Sequence, residues 1–183
     1  MASWPFSHRP AGAPSFGSAC PAQAALAPAR DTYVDQAQPA SPNAAAAQLV
    51  VRSGAGQNAR ALLAFDLPSA NGCVVTAATL RLHAGGSAAG RTLEIYRLGS
   101  AWDADVTWDT RPGASGDAAT ATSSTDGWVS FDVTRQLRDI YRYGDNGLLV
   151  RDAHEGADPP AGQAFDAGEA VPELRPELIV AFG

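Results

Sequence analysis

Four arginines sit in stretches where polar and apolar residues alternate: Arg52, Arg81, Arg97 and Arg151. Alternation sends every second side chain of a strand to one face. Where several arginines share a face, their planar forks form a donor cluster suited to uronate carboxylates. His83 and His154 are placed to join it. An ordinary solvated sheet face with scattered arginines is the alternative. Arg60 with Asp66 or Asp132 reads instead as a structural ion pair at a strand end.

A second set of residues offers hard oxygen donors near predicted strand ends: Asp31, Asn43, Asp66, Asp132 and Glu169. A structural calcium takes about six to eight oxygens, so these are its candidate ligands. Solvated loop carboxylates are the other reading. Asp103, Asp105 and Asp109 follow at near-alternate spacing, but the glycine and terminal glutamate of an EF-hand loop are missing. Trp102, Trp108 and Trp128 read as core or loop-anchoring aromatics, with stacking on sugar rings as their functional role. No nucleophile elbow, phosphate loop or zinc-protease helix motif occurs, so binding is favoured over catalysis.

The elements that must position these residues are short. Strands are predicted at 32–36, 48–53, 59–67, 74–84, 91–98, 128–133, 148–152, 163–167 and 177–182, separated by Gly, Pro, Asn, Asp or Ser. VTW (106–108) reads as a further short strand and 113–125 as a surface loop. One helix is predicted over 134–144. Thr134 is its N-cap, Leu137, Ile140 and Tyr141 form its apolar face, and Gly144 is its C-terminal cap. This pattern specifies an all-β antiparallel β-sandwich with one short helix.

Residues 1–30, rich in Pro, Ala, Gly and Ser, read as a flexible lead, with the folded unit beginning at Asp31. All 13 basic residues are arginine. The formal charge is −6, unevenly spread. Residues 1–30 carry two arginines and no acid, while 31–183 set 11 arginines against 19 carboxylates, a balance of −8. An acidic domain argues against a nucleic-acid partner. It suits solubility or a bound cation. No apolar run is long enough to span a membrane. MASWPFSHRP is a poor export signal, although AQAALA (22–27) is similar to a small-residue cleavage region. Cys20 and Cys73 are too few for a disulfide scaffold. In an exported protein they would bridge and pin the N-terminal segment; otherwise they are two free thiols.

The order of motifs resembles one family, the DNRLRE-domain or family-96 carbohydrate-binding-module-like jelly rolls. Asp31, Tyr33 and Val34 match its opening strand. Arg60, Leu63, Phe65, Asp66 and Leu67 match the next, and Ala78, Leu80 and Leu82 the third. Tyr96, Arg97, Trp102, Val106, Thr107 and Trp108 follow, then Trp128, Phe131, Asp132, Val133 and Thr134, then Asn146, Gly147, Leu148 and Leu149. The family's Phe-x-Ser-Arg-Glu is partly kept as Phe165, Gly168 and Glu169, with Ala167-Gly168 where Ser-Arg is usual.

The resemblance implies a jelly roll of extracellular or cell-surface proteins. It implies a non-catalytic module for polysaccharides, some of them acidic. The alternative partner is a neighbouring copy of the chain. AQAALAPAR (22–30) would then add a strand to the next sheet edge in a surface filament or particle.

Overall fold

Leu80 and Leu82 alternate with Arg81 and His83, and this period of two recurs in strand after strand. A computed structural model describes residues 20–87, 90–124 and 127–183. The strands are β1 Ala24–Leu26, β2 Arg30–Asp35, β3 Gln48–Ser53, β4 Ala59–Ala64, β5 Val75–Ser87 and β6 Thr92–Leu98. They continue with β7 Ala114–Thr122, β8 Gly127–Asp132, β9 Leu148–Asp152, β10 Ala161–Asp166 and β11 Glu177–Phe182. Helix α1, Thr134–Tyr143, lies between β8 and β9. All ladders are antiparallel, in the order β1-β11-β5-β10-β3-β4-β9-β6-β7, with β2 on β4 and β8 on β5.

The ladder curls into a β-sandwich. Strand β5 carries β11 along one edge and β8 along the other, because Arg81 faces Glu177 on one side and Ser130 on the other. Leu80, Leu82, Phe131 and Val180 from that side pack with Leu63, Ile95 and Val150 from the opposite side in one core. Removing these side chains from water is the main driving force of the fold. A second, smaller cluster lies outside it. Val34, Leu62, Leu98 and Leu149 are covered by Trp102, Val106 and Trp108 of the segment between β6 and β7.

Two expected elements differ. The stretch read as a loop, 113–125, contains β7, which pairs with β6. Its run of Ala, Gly, Ser and Thr carries no strong strand preference. The edge of β6 supplies the hydrogen bonds that hold it. The short strand expected at 106–108 is instead a turn region that buries Val106 and Trp108.

Helix α1 forms where expected and buries Gln136, Leu137 and Ile140. Val133, not Thr134, is its N-cap residue. The Thr134 hydroxyl and N–H both donate to Asp132 Oδ1, at 2.6 and 3.0 Å, and this satisfies part of the first turn. At the other end, the Asn146-Gly147 turn brings its backbone against β4. A Cβ on Gly147, whose φ is 89°, would stand 2.4 Å from the Leu63 carbonyl oxygen.

The chain ahead of Asp31 joins the sheet, since β1 pairs with β11 of its own chain. Cys20 and Cys73 are bonded, with their Cα atoms 5.7 Å apart. The expected flexible lead otherwise falls on residues 1–19, outside the described residues. Among the described residues, no helix is long and apolar enough to cross a membrane.

Candidate functional site

The outward side chains of β5, β8, β10 and β11 meet in one polar cluster. His83 and Trp128 face each other across the β5–β8 ladder. Their rings meet edge to face, 5.3 Å between centroids and 70° between planes. His83 Nδ1 lies 2.7 Å from Asp166 Oδ2 on β10. This contact orients the ring from its far side. Arg81, two residues earlier, places its guanidinium 4.5 Å from the Trp128 ring centre. Its Nη1 donates to Glu177 Oε2 on β11 at 2.9 Å.

The cluster opens into a cleft of about 490 Å³ lined by Arg81, Trp128, Glu173, Arg175 and Glu177, with Ala25–Ala27 as a further wall. It crosses four adjacent strands, a span of about 14 Å at the usual strand spacing. Trp128 is 36% exposed, whereas Trp102 and Trp108 are each 8% exposed. Trp102 and Trp108 are the anchors the sequence reading favoured. Trp128 is the one described tryptophan whose ring is open to a ligand. Arg175 was not singled out from sequence, because it lies in the irregular stretch after the turn Pro172–Leu174. Its Nε donates to the Ala170 carbonyl at 2.9 Å, and it belongs to none of the ion pairs found among the described residues.

The six residues expected to form one sugar-binding cluster are dispersed. Arg81 lines the cleft, and His83 stands behind it against Trp128. Arg52 points outward from β3, beyond β10, and Arg151 from β9 in the other half of the sandwich, each held by a carboxylate: Arg52 by Asp35 at 2.5 Å and Arg151 by Glu94 at 2.9 Å. Arg97 turns toward α1, with its guanidinium 5.2 Å from the Tyr143 ring centre. His154 is exposed, and its carbonyl accepts from Ser53 Oγ at 2.5 Å. Arg60 pairs with Glu155 through two bonds of 2.7 Å, not with Asp66 or Asp132. The carboxylate that reaches it is 95 residues away in sequence, beyond what strand-end reasoning can see.

Of the five expected calcium ligands, Asp31 and Glu169 lie near one another, and the other three are engaged elsewhere. Asp31 is buried and accepts the Gly168 N–H at 2.7 Å. Burial and the nearby Glu169 raise its pKa to about 6, against the lowering effect of that hydrogen bond. A Cβ at Gly168 would stand 3.3 Å from Asp31 Oδ2. The position where the resemblance has arginine therefore borders this carboxylate. Asn43 donates to the Tyr33 carbonyl at 3.0 Å. Asp66 lies near Asp145 and Arg30, and Asp132 serves the start of α1, where its two bonds from Thr134 lower its pKa. Among the described residues, no group of three or more His, Cys, Asp or Glu is arranged to hold a metal ion.

The family model for carbohydrate-binding module family 96 matches residues 22–181. The chain belongs to carbohydrate-binding module family 96. The match begins ahead of Asp31 and includes β1, in line with the ladder between β1 and β11. No curated protein matches the chain. The module thus combines a β-sandwich, a family of carbohydrate binders and a cleft with one open tryptophan.

Proposed function

We propose that this module binds polysaccharide in the Trp128 cleft, with a preference for chains that carry carboxylates, and that it does so outside the cell. The observation that carries the proposal is the pairing of an open tryptophan with guanidinium groups in one cleft. An indole ring suits the apolar face of a pyranose. Arg175 offers donors not committed to a carboxylate, and Arg81, fixed by Glu177, presents its remaining edge. Glu173 and Glu177 are acceptors for sugar hydroxyls. A disulfide between Cys20 and Cys73 fits an oxidising location.

Affinity electrophoresis in gels containing polygalacturonate, polymannuronate or a neutral β-glucan tests the proposal. Expected is retardation by the uronate polymers, weakened by salt because exposed charges are screened. Arg81→Ala and Arg175→Ala should lose most of it. Arg151→Ala, on the other half of the sandwich, should keep it. No retardation by any polysaccharide would reject the reading.

A further inference from the structure

One wall of the cleft comes from the N-terminal edge of the fold. Ala25, Leu26 and Ala27 line it opposite Trp128 and Arg175. Strand β1 is three residues long and outermost in the ladder order. Its ladder partner is β11, through Ala24↔Val180, Ala25↔Ile179 and Leu26↔Leu178. A strand this short at a sheet edge belongs to the least stable part of a fold.

Two attachments flank it. Behind it, the Ala29 N–H donates to the Ala64 carbonyl at 2.9 Å, next to the start of β2. Ahead of it, Cys20 is bonded to Cys73. The neighbour of Cys73, Val74, exchanges both backbone hydrogen bonds with Gly183, each 3.1 Å long, at the end of β11. The disulfide therefore ties the entrance of β1 to the corner where its partner strand ends.

We propose that the Cys20–Cys73 disulfide is a positioning element of the sugar-binding cleft: it holds β1 in register on β11 and so keeps the wall Ala25–Ala27 in place. This rests on the cleft being the glycan site. Without the bond, β1 frays from its free end and the cleft loses one side. Leu26 packs against the edge of the core, but Leu80, Leu82 and Phe131 are buried between the sandwich halves and stay covered without it. A bound chain then loses wall contacts and must order the loosened segment, a combined cost of about tenfold in affinity.

The test compares the full chain with the double variant Cys20→Ser/Cys73→Ser, using hydrogen exchange and polygalacturonate affinity electrophoresis. Expected is lost protection at the amides of Ala24–Leu26, retained protection at Leu80 and Leu82, and about tenfold weaker retardation. Ala25→Glu, which keeps the disulfide and fills the cleft from the wall, should weaken retardation as well. Mild thiol reduction of the folded full chain carries the test of the disulfide if the double variant does not fold. Protected β1 amides in the double variant, or full retardation of either variant, would overturn the proposal. Absence of retardation for the unaltered chain is a different result: it removes the acidic-glycan reading of the cleft, and this inference falls with it.

Discussion

The guanidinium carbon of Arg81 lies 4.5 Å from the centre of the Trp128 ring. The same guanidinium is held by Glu177 at 2.9 Å. One strand, β5, thus supplies the group that supports the tryptophan on β8 and is itself braced from β11. If the cleft binds sugar as proposed, the arrangement couples stacking on Trp128 to a charged contact, and both should fail together.

Trp128→Ala should weaken polysaccharide binding by about 1–3 kcal/mol, the usual value of one aromatic platform with its cation. The unfolding midpoint should stay close to that of the unaltered chain, because the ring is largely outside the core. Calorimetric titration beside thermal unfolding checks both. A large stability loss with unchanged binding would assign Trp128 to the core.

Trp102→Ala should behave in the opposite way. Trp102 is buried, donates its indole N–H to the Asn146 carbonyl at 2.9 Å and packs with Leu62 and Leu149. Its loss should cost about 3–5 kcal/mol of stability, as for other large-to-small changes in cores. Denaturant unfolding reads this directly. Glycan affinity of the folded fraction should not move.

Asp31 makes stability depend on pH. Its folded pKa of about 6 lies above the ordinary 3.8, so the folded state takes up the proton more readily than the unfolded chain. Its contribution is fully present below the ordinary value and is lost as pH rises through about 6. The total is on the order of 2–3 kcal/mol. Asp31→Asn, which keeps an oxygen for the Gly168 N–H, should remove this slope between pH 4 and 7. An unchanged slope in the variant would exclude Asp31 as its source.

Calcium binding is an expectation from the sequence, and Asp31 with Glu169, which raises its pKa, is where it is tested. The expected outcome is a higher unfolding midpoint in millimolar calcium at pH 7, absent in Asp31→Asn. Identical midpoints with and without calcium would remove the metal from the account of this protein.

Much of the fold was legible before any tertiary contact was known. The strands at 48–53, 148–152 and 177–182 coincide with β3, β9 and β11, and the helix at 134–144 with α1 and its cap. These segments have strong alternation or helical spacing, and their ends carry turn residues. Strand β7 had neither, being built of small residues whose conformation is imposed by β6. The cleft was half legible. Arg81 was identified and Arg175 was missed, since a residue outside regular structure shows no periodicity to read.

The sequence by itself determined which side chains point outward, because period-two alternation is a local property of each strand. It also determined the family, through motifs kept in order along the chain. Only the tertiary structure decided which outward side chains share a face. Arg81 and Arg151 have the same local pattern, yet β5 and β9 lie in opposite halves of the sandwich, so the two guanidiniums face away from each other. Pairing across the sheet joins Arg81 to Glu177, Arg60 to Glu155 and Cys20 to Cys73, partners 96, 95 and 53 residues apart. Such contacts follow from how strands are ordered and how the ladder curls, which depends on burying the whole core at once and not on any one segment.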